Sequence, residues 1–116
     1  MGMYIVLNDK KYPLEVKYTS KSKSQGMMGR KNLNGGMLFI FNEPENQSFW
    51  MKNCLIDLDI VFLDKNRVTK IHHSCKPCDS EDCEHYEGYG NMVLEFKGGF
   101  CKENGLNEGD QIDFSY

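Results

Sequence analysis

The chain has 116 residues, 40% of them hydrophobic and 27% charged, and its formal net charge is −3. This length suits one globular domain, which we place at residues 3–116, and leaves no room for two. The negative charge argues against a nucleic-acid partner, which usually requires a basic face. No apolar run approaches the length of a membrane span.

Short strand-like runs alternate with turns along most of the chain. The first two strands, at 4–7 and 12–18, flank an Asn-Asp-Lys-Lys turn, and Thr19 caps a short helix that reaches Met28. After a Gly-Gly break come strands at 37–41, 47–54, 58–63, 68–75 and 92–96, a helical turn at 100–104 and a last strand at 111–114. A turn at 42–46, with Pro44, separates two of these strands. The pattern predicts a mostly β (α+β) fold, a compact antiparallel sheet in a partly closed barrel with one or two short helices.

The strands at 47–54 and 58–63 carry bulky apolar residues on both faces, which is typical of central strands. We expect them to form a hairpin. A two-residue turn would place Lys52 opposite Asp59, whereas a three-residue turn would place Asn53 there.

Polar groups among these apolar residues need partners, because burying an unpaired carboxylate costs several kcal/mol. Lys52, Asn53 and Asp59 therefore form either a structural network or, with Arg30, the lining of a pocket beside Trp50 that binds a small polar ligand. An aspartate without a second acid is weak support for acid–base chemistry, so no catalytic residue is assigned. A small hydrolase or lyase built on Asp59 and Lys52 stays an alternative.

Five cysteines occur at 54, 75, 78, 83 and 101, and three of them fall within nine residues. The Cys75-x-x-Cys78 pair with Cys83 and one histidine would give the tetrahedral set that zinc prefers. His73 shares a strand face with Cys75, and His85 in the following loop is the other candidate. A redox role for the same motif would need a helix start to acidify a thiol, and none is predicted there.

Several of these segments together resemble one family. They are Gly26-Met27-Met28-Gly29-Arg30, Gly36-Met37-Leu38-Phe39-Ile40-Phe41, Phe49-Trp50-Met51-Lys52-Asn53 with Leu58-Asp59-Ile60, Pro77-Cys78 with Cys83 and Tyr86, and the turn Asn107-Glu108-Gly109-Asp110. In this order they closely resemble domain of unknown function 192, also called uncharacterised protein family 0127. The resemblance implies a small β-rich fold with no established activity.

The resemblance also bears on the cysteine loop, because the positions of Cys78 and Cys83 recur in the family. It thereby favours a Cys78–Cys83 disulfide over zinc, although a disulfide would not persist in a reducing cytosol, where free thiols are the alternative. The chain departs from the family at Cys54 and Asp57, where threonine and proline are usual, and it adds Cys75.

The sequence thus predicts a small binding or accessory domain rather than an enzyme. Its expected partner is a small polar ligand or a protein, with no required cofactor and zinc as the alternative. A thiol- or zinc-dependent module using the loop at 72–85 is the second function. We expect the cytoplasm by default, and export if a leader has been removed ahead of a start at Met3.

Overall fold

The computed structural model of the protein describes residues 2–116, which form one curled sheet of seven strands and two short helices. The strands are β1 (Met3–Leu7), β2 (Lys10–Lys17), β3 (Gly36–Trp50), β4 (Leu58–Asp64), β5 (Arg67–Cys75), β6 (His85–Lys97) and β7 (Asp113–Ser115); the helices are α1 (Ser20–Gln25) and α2 (Phe100–Glu103). The strand order is β5-β4-β6-β3-β2-β1-β7. All neighbours are antiparallel except β2 and β3, which α1 connects in a parallel pair.

The sheet curls until its two edges meet at one end. The segment just before β7 lies along the start of β5, where the Val68 N–H donates to the Asp110 carbonyl (2.9 Å) and the Gly109 N–H donates to the Val68 carbonyl (2.8 Å). Further along β5, the Ile71 N–H donates to the Glu108 carboxylate (3.0 Å). The molecule is therefore a half-barrel, and the predicted mostly β, partly closed barrel is confirmed.

Both faces of the central strands are covered. On β4, Val61 and Leu63 pack into the cluster inside the curl, whereas Leu58, Ile60 and Phe62 pack into a second cluster on the other face. Residues 58–63 of β4 are all buried, as the apolar residues at both parities predict. The sheet therefore separates two cores, and a polar residue on either face of β4 or β6 needs a partner.

The two helices follow their predicted signals. Thr19 caps α1 by accepting a hydrogen bond from the Ser22 N–H, and the Ser22 side chain completes a reciprocal capping box. α2 is a single turn, and Gly105 follows it with φ of 65°, a conformation that glycine adopts at low cost.

The predicted hairpin of 47–54 with 58–63 is wrong. β6 lies between β3 and β4, so Asp59 pairs with Phe96, and the partners of β3 lie on β6. The predicted turn at 42–46 is also wrong, because β3 continues through it with a shift in register between Ile40 and Glu45. β6 likewise begins at His85 rather than at Met92.

A glycine allows β6 to bend where the register of β3 shifts. Gly90 has φ of 154°, and a Cβ atom at this position would overlap the carbonyl oxygen of Leu63. The pairing resumes at Glu45 and Gly90, so the end of β3 and the start of β6 remain paired, with Trp50 opposite His85.

Candidate functional site

Trp50 and Lys52 line a cavity of about 340 Å³ on the outer face of the sheet. Trp50 ends β3 and is 42% exposed, and its ring centroid lies 5.8 Å from that of His85. The Lys52 ammonium donates to the Ser80 carbonyl (2.5 Å). The cavity has a volume within the range of small-molecule sites.

The floor of the cavity contains a residue that the sequence did not single out. Glu95 is only 4% exposed, and within residues 2–116 its Oε1 atom is buried without a hydrogen-bond partner. Burial raises the pKa of Glu95 from 4.5 to about 8. At neutral pH its carboxyl group is therefore mostly protonated, as expected of an acid in apolar surroundings.

Aromatic side chains form much of the cavity wall. Phe49 packs edge-on against Phe39 (ring centroids 5.0 Å apart) and against Phe41 (6.2 Å), and all three line the cavity. Cys54 also lines it, and burial together with Glu95 raises the pKa of this thiol to about 11. The wall thus offers apolar surface and a neutral thiol.

Two lysines bring positive charge to the cavity. The Lys23 ammonium, in α1, donates to the Ile40 carbonyl (3.0 Å) and lies 4.1 Å from the centroid of the Phe41 ring. Lys52 is held by the contact with Ser80. Each ammonium has three donors and uses one of them here, so both retain donors for a ligand.

Backbone hydrogen bonds join the segments around the cavity. The Gly29 N–H donates to the Asn53 carbonyl (2.8 Å), and the Asn53 N–H donates to the Cys78 carbonyl (2.9 Å). Asn53 has φ of 60°, a conformation that asparagine tolerates better than most residues. The segment that carries Lys52 is thereby held between two loops.

Arg30 makes a bidentate ion pair with Glu15. Its two terminal nitrogens each lie 2.6 Å from a carboxylate oxygen, and this pairing lowers the pKa of Glu15. The guanidinium thus already has a planar partner of the kind it prefers. A ligand would have to compete with Glu15 for it.

Asp59 lies on the opposite face of the sheet from the cavity. It pairs in register with Phe96, whereas Glu95 pairs with Ile60. Its carboxylate accepts backbone N–H bonds from Ser74 (2.8 Å), Gly99 (3.2 Å) and Cys101 (2.9 Å). The structure therefore brings Trp50 and Lys52 together with Glu95, and not with Asp59.

The cysteine-rich loop is closed by a disulfide between Cys78 and Cys83. Cys54, Cys75 and Cys101 are free and buried, and the Cys75 Sγ–H donates to the His72 carbonyl (3.6 Å). His73 is exposed on β5, and the His85 ring lies 3.0 Å from the Ser48 hydroxyl. Among residues 2–116 no three His, Cys, Asp or Glu side chains lie where they could share a metal ion.

The disulfide makes a specific prediction. Unreduced protein in denaturant should show three reactive thiols, from Cys54, Cys75 and Cys101, and native protein almost none because burial raises the pKa values of these thiols. Changing both Cys78 and Cys83 to serine should cost about 2 kcal/mol of unfolding free energy, since the ring is small. Thiol titration and urea unfolding measure both effects. Five thiols in the denatured, unreduced protein, or a zinc ion released on denaturation, would contradict the disulfide.

Comparison with known proteins adds to this geometry. A protein family described as "Uncharacterized ACR", domain of unknown function 192, matches residues 4–114. The chain belongs to this family. The resemblance found in the sequence is thus confirmed, and the family's own description assigns no activity.

Two solved structures are similar to this member of domain of unknown function 192. A protein of Sinorhizobium meliloti, described as a candidate transcription regulator, has a TM-score of 0.82 and 26% identity, with 97% of this chain and 91% of that chain covered. A protein of unknown function from Novosphingobium aromaticivorans has a TM-score of 0.80 and 30% identity, covering 97% and 84%. Comparison with curated proteins gave no significant match. No helix within residues 2–116 has the length and apolar character needed to cross a membrane.

Proposed function

We propose that this domain binds a small molecule with an apolar body and a negatively charged or polar end in the cavity beside Trp50. One observation carries the proposal, namely an open cavity of about 340 Å³ with aromatic walls and lysines at Lys23 and Lys52. Binding sites of this kind are largely apolar, with a few polar groups that orient the ligand.

The construction around the cavity supports the proposal. The disulfide loop holds the backbone of Asn53 through Cys78, and Ser80 of the same loop accepts from Lys52. A site whose polar groups are fixed before binding loses less entropy when the ligand arrives. In this proposal the cysteine loop is a support for the site, which gives it a role without a metal.

The solved relatives fit a binding role but do not identify the ligand. A regulator that responds to a small molecule would need a cavity of this kind, whereas a net charge of −3 gives no support for contact with DNA by this chain. The proposal includes no chemical step, since Asp59 and Lys52 are on different faces and Asp59 is occupied by three backbone donors.

An anionic dye tests the proposal, because the chain has a single tryptophan and it lies at the cavity. Anilinonaphthalene sulfonate should bind once per chain and receive energy from Trp50. Lys23→Gln and Lys52→Gln should each weaken binding about threefold to fivefold, the effect of one partly exposed charge pair. Titration of the energy-transfer signal measures the affinity.

The control is Lys10→Gln, which removes an exposed charge at the start of β2 and should leave the affinity unchanged. An equal loss in all three variants would mean that the dye senses net charge alone. Dye binding without energy transfer from Trp50 would place the dye elsewhere, and either result would overturn the proposal.

A further inference from the structure

The floor of the cavity lacks the partner that a buried carboxyl group requires. Glu95 is 4% exposed, and its Oε1 atom has no hydrogen-bond partner within residues 2–116. Buried polar side-chain atoms in native proteins are almost always paired, and an unpaired one needs an explanation. Asp59, the other buried acid of the sheet, shows the contrast, because three backbone N–H groups satisfy it.

Oε1 is enclosed by protein atoms, so a ligand atom in the cavity becomes its partner only when the Glu95 side chain turns toward the cavity. Glu95 both lines the cavity and belongs to the strand face that carries Phe39 and the outer core. Burial holds the pKa of Glu95 near 8, so one oxygen carries a proton at neutral pH while the other accepts. The side chain can therefore donate one hydrogen bond and accept another along the same edge.

The walls restrict the shape of a molecule that can reach this edge. The rings of Phe39, Phe41 and Phe49 favour a flat apolar body, since aromatic faces and edges pack well against other rings. A flat ring that becomes protonated would also gain from the negative faces of these aromatic side chains.

We propose that Glu95 binds the edge of a flat, weakly basic nitrogen heterocycle. In this edge, a ring nitrogen and an N–H group are attached to the same carbon atom. With the side chain turned toward the cavity, the N–H donates to Oε1, and the ring nitrogen faces the other carboxyl oxygen. When the ring is the stronger base, the proton moves from that oxygen to the ring nitrogen, which leaves a carboxylate paired with a cation. This ligand class rests on the binding function proposed above and specifies its inner end.

The other charged and titratable groups of the cavity are compatible with such a ligand. They are the lysines Lys23 and Lys52 and the thiol of Cys54. The thiol is neutral, because its pKa is raised to about 11. The lysines would repel the protonated ring, which the Glu95 carboxylate offsets, and they would attract an acidic substituent on the ligand.

Calorimetry with 2-aminobenzimidazole tests the inference, with benzimidazole as the matched probe that lacks the amino N–H. The amino compound should bind the native protein at least about tenfold more tightly than benzimidazole, the effect of a hydrogen bond to a charged group. Glu95→Met, which keeps the length of the side chain and loses both the donor and the acceptor, should remove this preference. Urea unfolding followed by Trp50 fluorescence shows whether Glu95→Met is folded.

The outcomes separate the two proposals. If both heterocycles bind equally, or if Glu95→Met keeps the preference, Glu95 does not recognise the N–H edge and this inference fails while dye binding still supports the cavity. If the dye also fails to bind native protein, the proposed binding function fails with it. A cooperative urea transition of Glu95→Met shows that the variant is folded, so a lost preference then reports on Glu95 itself.

Discussion

Asp59→Ala is expected to remove about 3–5 kcal/mol of unfolding free energy, a large part of the total stability of a domain this size. The carboxylate accepts the N–H groups of Ser74, Gly99 and Cys101, and it is fully buried. Alanine would leave these three donors without an acceptor in the region where β5 and α2 meet β4. Urea unfolding followed by Trp50 fluorescence measures the loss.

Two variants give the controls for this prediction. Asp59→Asn keeps one acceptor oxygen and should fall between native protein and Asp59→Ala. Asp57→Ala removes a half-exposed partner of Lys76 and should cost less than about 1 kcal/mol, as exposed ion pairs do. Equal losses at positions 57 and 59 would show that the backbone contacts of Asp59 contribute little.

The second expected result is that Glu95→Gln makes the protein more stable than native protein at alkaline pH. Burial raises the pKa of Glu95 from 4.5 to about 8, so between these values the unfolded chain releases a proton that the folded chain retains. Native stability therefore falls as the pH rises through this window. Glutamine does not titrate, and its advantage should grow from near zero at pH 4.5 to about 3–5 kcal/mol above pH 8.

Unfolding free energies from urea titrations at several pH values between 5 and 9 measure this difference. Glu87→Gln is the matched control, because Glu87 is an exposed glutamate on the same strand. Cys54 stays neutral across the window since its pKa is raised to about 11, and Lys23 and Lys52 are present in both proteins. A constant difference between Glu95→Gln and native protein across pH would contradict a buried, protonated Glu95.

Much of the fold follows from local sequence. The apolar residues at both parities of β4 predicted a central strand, and Thr19 and Gly105 marked the ends of the two helices. These signals are local, because a strand face or a helix cap depends on residues within a few positions of each other. The series of short strands and turns predicted the mostly β, partly closed barrel, and the family resemblance implied the same kind of small β-rich fold.

The order of the strands could not be predicted in the same way. Residues 47–54 and 58–63 are close in sequence, which favours a hairpin, but β6 lies between them and pairs with both β3 and β4. Pro44 suggested a turn, yet β3 passes through that position where its pairing with β6 is interrupted. Proline is tolerated in a strand where no ladder hydrogen bond is required.

The candidate cavity includes only some of the residues that the sequence singled out. Lys52 was chosen as a polar residue among apolar ones, with Trp50 beside it, and both line the cavity. Glu95 was missed since Leu94-Glu95-Phe96 reads as a strand with its polar face in water. α1 and the loop after it, far away in sequence, lie over that face. One signal could have indicated that this face is covered. Met37 and Phe39 of β3 are apolar and lie on the same side of the sheet as Glu95.

The contacts along the outer side of β5 have a consequence for association between molecules. An edge strand with free N–H groups can pair with a strand of another chain, which is a common route to aggregation. Here the N–H groups of Val68 and Ile71 already donate to Asp110 and Glu108. The Glu108 carboxylate and the turn before β7 thereby occupy positions that a foreign strand would need, so this edge is a poor template for intermolecular sheet growth.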